Sequence, residues 1–363
     1  MRIEIWRHFD YLLFGAVLIL TIFGIAMIDS AIAGNIELIE NNTVGRQIVF
    51  AVVGLAVIII ATLLDYHIWV AIGRVLYLLL VVLLTSILIS GEAAFGAQRS
   101  FFGIQPSELA KITIIVIQAD AFARNRHRIS ELFWIVRSSL TMLGLVGLIV
   151  LQPDLSTSIV IVVIWAALLF ASGLEVKQMV TFAAIAILMV PASFPFLEEY
   201  QQGRIARFLF PNPDARFGEE YNVNQAQITI GSGGWLGQGY GQGSQVQLRF
   251  LKVRHSDFIF SAIAEEFGFI GTIIVLGLIF FVIMRCLRAA RLAQDMYGTL
   301  ICYGVATFFA FQTIVNVGMN LNLLPVTGLP LPLISQGGSS LLSLMLGIGL
   351  VESVVSRRQT QYD

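Results

Sequence analysis

Asp257 sits in Arg254-His255-Ser256-Asp257-Phe258-Ile259-Phe260, where a long polar loop meets a long apolar run. A carboxylate at such a junction lies at a membrane surface, wet enough to ionise and close enough to lipid to meet a lipid-borne substrate. Ionisable groups at membrane depth cost several kcal/mol and mark functional positions. The chemistry on offer is general-base catalysis. The same residue also reads as the N-cap of the helix that follows, shared with Ser256. Asn caps about as well as Asp but takes no proton, so Asp257→Asn separates the two readings.

Five further segments carry polar residues in informative positions. In Gln105-Pro106-Ser107-Glu108-Leu109-Ala110-Lys111, Ser107 reads as an N-cap, Glu108 lies in the first helical turn, and Lys111 shares its face. This is either a helix start with a local ion pair or an acid and a base at the outer mouth of a cavity. In Gln152-Pro153-Asp154-Leu155-Ser156-Thr157, Pro153 stops one helix and Asp154 can cap the next. Gly231 to Ser244 holds seven glycines in fourteen residues. It lacks GxxxxGK[ST] and a following helix, which excludes a nucleotide P-loop. A backbone anion site flanked by Arg and Lys remains, beside a flexible linker. Glu265-Glu266 stand two to three turns into an apolar run, protonated or paired with a cation, or else forming a structural polar pair. Leu324 to Ser340 mixes three prolines and three glycines with apolar residues. Such non-helical backbone survives at membrane depth only when buried in protein or lining a wet cavity.

The elements that position these residues follow from composition. Of 363 residues, 57% are hydrophobic and 12% charged, and mean hydropathy is +0.84. Soluble domains carry about twice that charge fraction. The expected fold is an all-α polytopic membrane protein forming a single integral membrane domain over 1–363. Ten transmembrane helices are predicted at 9–29, 46–64, 68–90, 107–124, 135–151, 155–172, 176–197, 258–284, 297–320 and 338–355. A large extracytoplasmic loop, 199–257, separates spans seven and eight; its apolar residues (Ile205, Phe208, Tyr221, Trp235) argue that it is ordered. A re-entrant segment, 321–337, precedes the last span. The basic start followed by an apolar run resembles a signal peptide, but the run is too long, and it reads as the first span.

Basic residues orient the spans. Arg124, Arg126, Arg128, Arg137, Lys177, Arg285, Arg288 and Arg291, with Arg2, Arg7, Arg357 and Arg358 near the termini, fall on one side. The positive-inside pattern makes that side cytoplasmic, with both termini there and Asp257 outside. The net charge of −1 says nothing about partners, and with no basic domain and no recognition motif a nucleic-acid role has no support. Four scattered histidines make no zinc site, and Cys286 and Cys302 make no disulfide framework. The two halves lack the matched, glycine-broken spans of inverted-repeat transporters.

Together these segments resemble the SEDS family of cell-wall glycosyltransferases, the RodA branch more closely than the FtsW branch. The matching pieces are Gly96 to Arg99 with Gln105 to Lys111, Gln152 to Leu155, Ile230 to Gly234, His255 to Phe260 with Glu265 to Gly268, Asn316 to Met319, and Leu324 to Ser340. They run over most of the chain in the family's order. Departures are Ser100 for an aromatic, Ser156 for Gly, Gln336 for Tyr, and Leu251-Lys252-Val253 for a Leu-Pro-Glu-like run.

The resemblance implies a ten-span peptidoglycan polymerase of the bacterial cytoplasmic membrane, acting on lipid II and a nascent glycan strand outside it, for cell elongation and rod shape. It places the family's essential aspartate on Asp257 and the family's functional Glu and Lys on Glu108 and Lys111. It also implies a class B penicillin-binding protein, the transpeptidase, and the cell-elongation machinery as partners. The expected chemistry is inverting transfer with Asp257 as base, and Lys111, Arg204 and Arg207 are candidate cations for the leaving pyrophosphate. No organic cofactor is expected. A divalent cation (Mg²⁺ or Mn²⁺) bridging Asp257 and the pyrophosphate stays open. The rival classes are a lipid II flippase and a scaffold for the transpeptidase.

Overall fold

The computed structural model describes residues 6–34, 36–95, 105–128, 131–152, 154–196, 199–210, 218–251 and 253–358. Gly96 to Ser100, Pro153 and Lys252, named above, lie outside the described residues.

Regular structure among the described residues is helical: α1 (Tyr11–Ile32), α2 (Ile36–Glu40), α3 (Thr43–Leu63), α4 (Ile68–Phe95), α5 (Pro106–Arg124), α6 (Leu132–Val150), α7 (Leu155–Ala171), α8 (Val176–Ser193), α9 (Glu199–Leu209), α10 (Gly218–Ser232), α11 (Ser244–Gln247), α12 (Ile259–Leu292), α13 (Met296–Asn320) and α14 (Gly338–Ser356). Seven segments are long and apolar enough to cross a membrane: Tyr11–Ile32, Thr43–Leu63, Tyr66–Ile89, Leu132–Val150, Ile259–Leu292, Met296–Asn320 and Gly338–Ser356. The chain is an integral membrane protein with many spans. Helices α5, α7 and α8 stand at the other three expected span positions. Of these, α7 is apolar but only 17 residues long, and α5 carries Glu108, Lys111, Asp120 and Arg124.

Local chemistry sets several helix starts. Asp10, Asp154 and Asp295 each accept a hydrogen bond from a backbone N–H three residues on, at 3.1, 3.2 and 2.9 Å. Helix α5 begins differently. Its N-cap is Gln105, Pro106 follows with its φ already helical, and no side chain caps it. Ser107, expected as the cap, instead donates to Asp154 Oδ2 at 3.2 Å.

Helices α13 and α14 form the centre: 61% and 78% of their apolar windows are buried, against 17% for the Tyr66–Ile89 window in α4. Helix α14 packs mainly on α3, α13 on α12, α5 and α7, and α1 on α12. Small residues let α3 and α14 approach; a Cβ on Gly349 would stand 2.7 Å from that of Ala61.

The glycine-rich stretch has a use that neither sequence reading anticipated. Helix α12 breaks at Gly268, whose φ of 66° and ψ of −167° suit only glycine. The break strands backbone groups on both sides, and the glycine loop satisfies them. Gln238 and Gly239 donate to the carbonyls of Glu265 and Glu266 at 2.9 and 3.0 Å, while Phe269 and Ile270 donate to those of Gly234 and Trp235 at 2.8 and 3.2 Å. Backbone meets backbone there, so a Cβ on Gly237 would run into Glu266. The loop is a plug in a broken helix, neither linker nor anion cradle.

Of the readings offered for Glu265 and Glu266, the structural one fits the contacts: among the described residues no cation pairs with Glu265. Its carboxylate accepts from the amides of Gln245 and Val246 at 2.8 and 3.1 Å, at the start of α11, where helix N–H groups lack internal acceptors. Glu266 accepts from the Ser30 hydroxyl. Both carboxylates thus tie the 233–247 loop and α1 to α12.

Candidate active site

A cavity of about 860 Å³ opens where five elements converge. The starts of α5, α7 and α14 supply Glu108, Asp154 and Ser339; α9 supplies Gln201 and Arg204; the 325–330 segment supplies the floor; and Asp257 projects between them.

Asp257 is held by its backbone rather than by its carboxylate. Asn316 and Asn320 of α13 each donate Nδ2–H to the Asp257 carbonyl at 3.1 Å. Asn316 also donates to the Leu329 carbonyl at 2.8 Å, so one amide joins Asp257 to the cavity floor. Ser261 donates to Asn320 Oδ1 at 2.7 Å, which fixes that amide's orientation. Residues before Asp257 are clamped too. Ser335 donates to the Ser256 carbonyl at 2.8 Å and the Gln336 amide to that of His255 at 3.0 Å. The N-cap of α12 is Phe258, and no side chain caps the helix. The capping role considered for Asp257 is therefore absent.

The carboxylate itself is half-buried. Burial pushes its pKa above the usual aspartate range, against smaller downward pulls from the Ser256 hydrogen bond and the Arg204 charge. Gly328 stands beside it at φ 73°; a Cβ there would lie in ordinary contact, 3.7 Å from Asp257 Oδ2, so the left-handed backbone rather than crowding calls for glycine.

Glu108 and Lys111 pair at 2.8 Å. Glu108 reaches the cavity wall. Lys111 does not; it is 0% exposed, with its ammonium 4.8 Å from the Phe308 ring centroid. Ser343 donates to the other Glu108 oxygen at 3.2 Å. Lys111 is thus placed to balance and aim Glu108 from behind. The two loop arginines also divide. Arg204 lines the cavity and donates Nε–H to Glu219 at 2.9 Å. Arg207, one turn further along the same face of α9, lies 3.4 Å from that same carboxylate; it lines an adjoining crevice that Arg204 also borders, but not the Asp257 cavity. A third basic residue of the loop, Arg254, is buried and donates to the Ala31 carbonyl, which anchors the loop on the end of α1.

The described wall thus carries Arg204 against Glu108, Asp154 and Asp257. Asp154 is already engaged, accepting from Thr157, Gln105 and Ser107. Among the described residues no three His, Cys, Asp or Glu side chains cluster to hold a metal. A divalent ion would therefore need substrate phosphate oxygens as ligands, beside Asp257 or Glu108.

Sequence reasoning did not assign roles to Asn316, Asn320, Ser335 or Gly328. Asn316 and Asn320 did leave a signal: two amides at i, i+4 on an apolar helix share a face and need partners.

A family model described as "Cell cycle protein" (FtsW, RodA and SpoVE) matches residues 10–360. The peptidoglycan glycosyltransferase MrdB of Escherichia coli is 34% identical over 362 residues, covering 97% of this chain and 95% of that protein. The probable peptidoglycan glycosyltransferase FtsW of Trichlorobacter lovleyi is 33% identical, covering 96% and 93%. Among solved structures, a chain of a peptidoglycan synthase complex that coordinates polymerization and crosslinking superposes with TM-score 0.78 at 29% identity, covering 96% and 97%. The Thermus thermophilus rod shape determining protein RodA superposes with TM-score 0.69 at 28% identity, covering 97% and 98%.

Proposed function

Because the chain belongs to the FtsW, RodA and SpoVE family of cell cycle proteins, we propose that it is a peptidoglycan glycosyltransferase that polymerises glycan strands from lipid II, with Asp257 as its base. The observation that carries this is the Asp257 carboxylate. It is free of capping duty, raised in pKa by burial, and aimed into a cavity by a backbone clamp.

Asp257 takes the proton from the 4-hydroxyl of the acceptor N-acetylglucosamine. That oxygen attacks the anomeric carbon of the donor N-acetylmuramyl pyrophosphate from the opposite face. The O4–C1 bond forms, the C1–phosphate bond breaks, and undecaprenyl pyrophosphate leaves. Configuration inverts because there is a single displacement. Charge builds on the leaving pyrophosphate and must be met by fixed positive groups. Arg204 is the side chain suited to this, and the uncapped start of α14, at Gly337, adds helix N–H groups that favour an anion. Glu108, aimed by Lys111, orients the acceptor; a divalent ion brought by the pyrophosphate would be held beside Glu108 or Asp257 and would supply further positive charge. Arg207 supports Arg204 through their shared Glu219.

The chain lies in the bacterial cytoplasmic membrane with ten spans, α1, α3 to α8 and α12 to α14. Both termini are cytoplasmic and the cavity faces outward. The 321–337 segment re-enters as the cavity floor; its Leu329, Leu331 and Ile334 are buried in protein, as backbone at that depth requires. Likeness to a chain of a synthase complex that joins polymerization to crosslinking supports a class B penicillin-binding protein as partner, within the elongation machinery.

The test is polymerisation of purified lipid II by wild type and by Asp257→Asn, each co-purified with the transpeptidase. Long glycan from wild type, with a loss of at least about 10²-fold in the variant, is expected of a general base. Equal products from both would remove Asp257 from the chemistry. No product from either, beside a working control enzyme, would favour lipid II translocation instead.

A further inference from the structure

Helix α5 carries Glu108 at one end and Arg124 at the other, about 24 Å away by helix rise. At that far end a second cavity, about 550 Å³, lies between α4, α5 and α6. Its polar wall holds Arg74, Asp120, Arg124, Arg137, Trp134 and Gln118. From these residues we infer a binding site for the phosphate headgroup of an anionic phospholipid.

The charge balance points there. Arg124 and Arg74 share one carboxylate, Asp120, at 2.6 and 3.2 Å. Arg137 has no carboxylate partner among the described residues; its guanidinium sits 5.2 Å from the Trp134 ring centroid. Three guanidiniums against one carboxylate leave an excess of positive charge and several N–H donors in the fork geometry that suits phosphate oxygens.

Two buried polar atoms lack partners. Gln118 is 0% exposed and lines the cavity. Its Nε2 donates to the Ser138 carbonyl at 2.9 Å, which sets the amide's orientation and leaves Oε1 without a donor. Trp134 Nε1 is buried without an acceptor. A headgroup with phosphate oxygens and a hydroxyl, such as phosphoglycerol, satisfies both; a buried unpaired polar atom otherwise costs about 1–3 kcal/mol.

The surroundings make the occupant a lipid. Two of the three walls, α4 and α6, belong to helices with open apolar faces on the outside of the bundle. The apolar window of α4 is mostly unburied, and on α6 Phe133 and Leu140 are 64% and 63% exposed. An apolar groove on α6 lined by Phe133, Val136 and Leu140 meets the cavity at Arg137 and Thr141, giving acyl chains a path from the headgroup. Arginine pockets between transmembrane helices on the cytoplasmic side hold anionic headgroups by this combination.

The test uses the full chain in nanodiscs of equal phosphatidylglycerol and phosphatidylcholine, extracted into mild detergent, with retained lipid counted by native mass spectrometry. Wild type should retain phosphatidylglycerol over phosphatidylcholine by roughly tenfold. Arg74→Gln with Arg137→Gln should abolish that preference, and Gln118→Leu should weaken it. Arg288→Gln with Arg291→Gln, which removes charge elsewhere on the same face, should leave it intact. Melting curves exclude variants that have not folded. Equal retention of the two lipids, or equal loss in the Arg288 and Arg291 variant, would overturn the site. Displacement by soluble glycerol phosphate or inorganic phosphate at millimolar concentration would make it a pocket for free anions and overturn the lipid assignment.

Discussion

At the scale of single residues, the position of Asp257 at a loop–span junction was legible, but its freedom from capping was not. Phe258 holds the N-cap position because the 253–257 turn is fastened by Ser335, Gln336, Asn316 and Asn320 from distant parts of the chain. A general base works only when ionised. The acid limb of kcat/KM for polymerisation should therefore rise with an apparent pKa above the usual aspartate range, as a rate profile against pH would read. For folding the sign is opposite. The native state holds this proton more tightly than the unfolded chain does. The group's contribution is complete below the unfolded aspartate pKa and is lost as pH rises through the raised native value. Asp257→Asn should thus melt no lower than wild type at neutral pH while losing activity. Replacing Asn316 by Leu leaves the Asp257 and Leu329 carbonyls short of a donor, at about 1–3 kcal/mol. It should lower kcat more than it raises KM, and the steady-state kinetics would show the split. Lys111 was read correctly as Glu108's partner, but burial sets it behind the wall. Lys111→Met alone leaves a lone carboxylate in a buried site and should cost about 3–5 kcal/mol. Adding Glu108→Gln should restore most of that loss in thermal melts without restoring full activity.

At the scale of elements, hydrophobic runs predicted a helix at each of ten positions, because an apolar run of span length has few other solutions in lipid. Periodicity could not reveal the break inside α12. Glu265, Glu266 and Gly268 look like polar interruptions in one apolar run. Only the loop 233–239, some thirty residues earlier, supplies the backbone partners that make the break stable. Gly268→Ala should destabilise by about 1–3 kcal/mol from its dihedral alone. The clash with the Leu236–Gly237 backbone adds to this, so both melting temperature and glycan yield should fall. Glu265→Gln keeps the side chain's shape but loses the charge that helix α11 favours at its start, so a smaller drop in melting temperature is expected.

At the scale of the whole molecule, the Asp257 cavity and the Arg74, Arg124 and Arg137 cluster lie at opposite ends of the bundle; the proposed topology would put the first outside and the second on the cytoplasmic side. Cys286 and Cys302 are buried, so introduced cysteines report without background. A membrane-impermeant maleimide should label Leu323→Cys in intact cells and Arg291→Cys only after permeabilisation; the reverse order would invert the topology. What the sequence alone determined was membrane residence, the order of the helical runs, the family likeness and the candidate status of Asp257, Glu108 and Lys111. These depend on local composition, on turn residues and on neighbours within one helix, all of which are written along the chain. Tertiary structure decided which candidates share a cavity: Arg204 in the wall and Arg207 one turn outside it, Lys111 beneath Glu108, and Asn316 and Asn320 gripping the base. Those outcomes depend on contacts between segments up to about eighty residues apart around Asp257, as from Ser335 to Ser256, and more than two hundred apart between Ser343 and Glu108. The three-dimensional packing of α5, α7, α9, α13 and α14 sets them, and no local pattern encodes it.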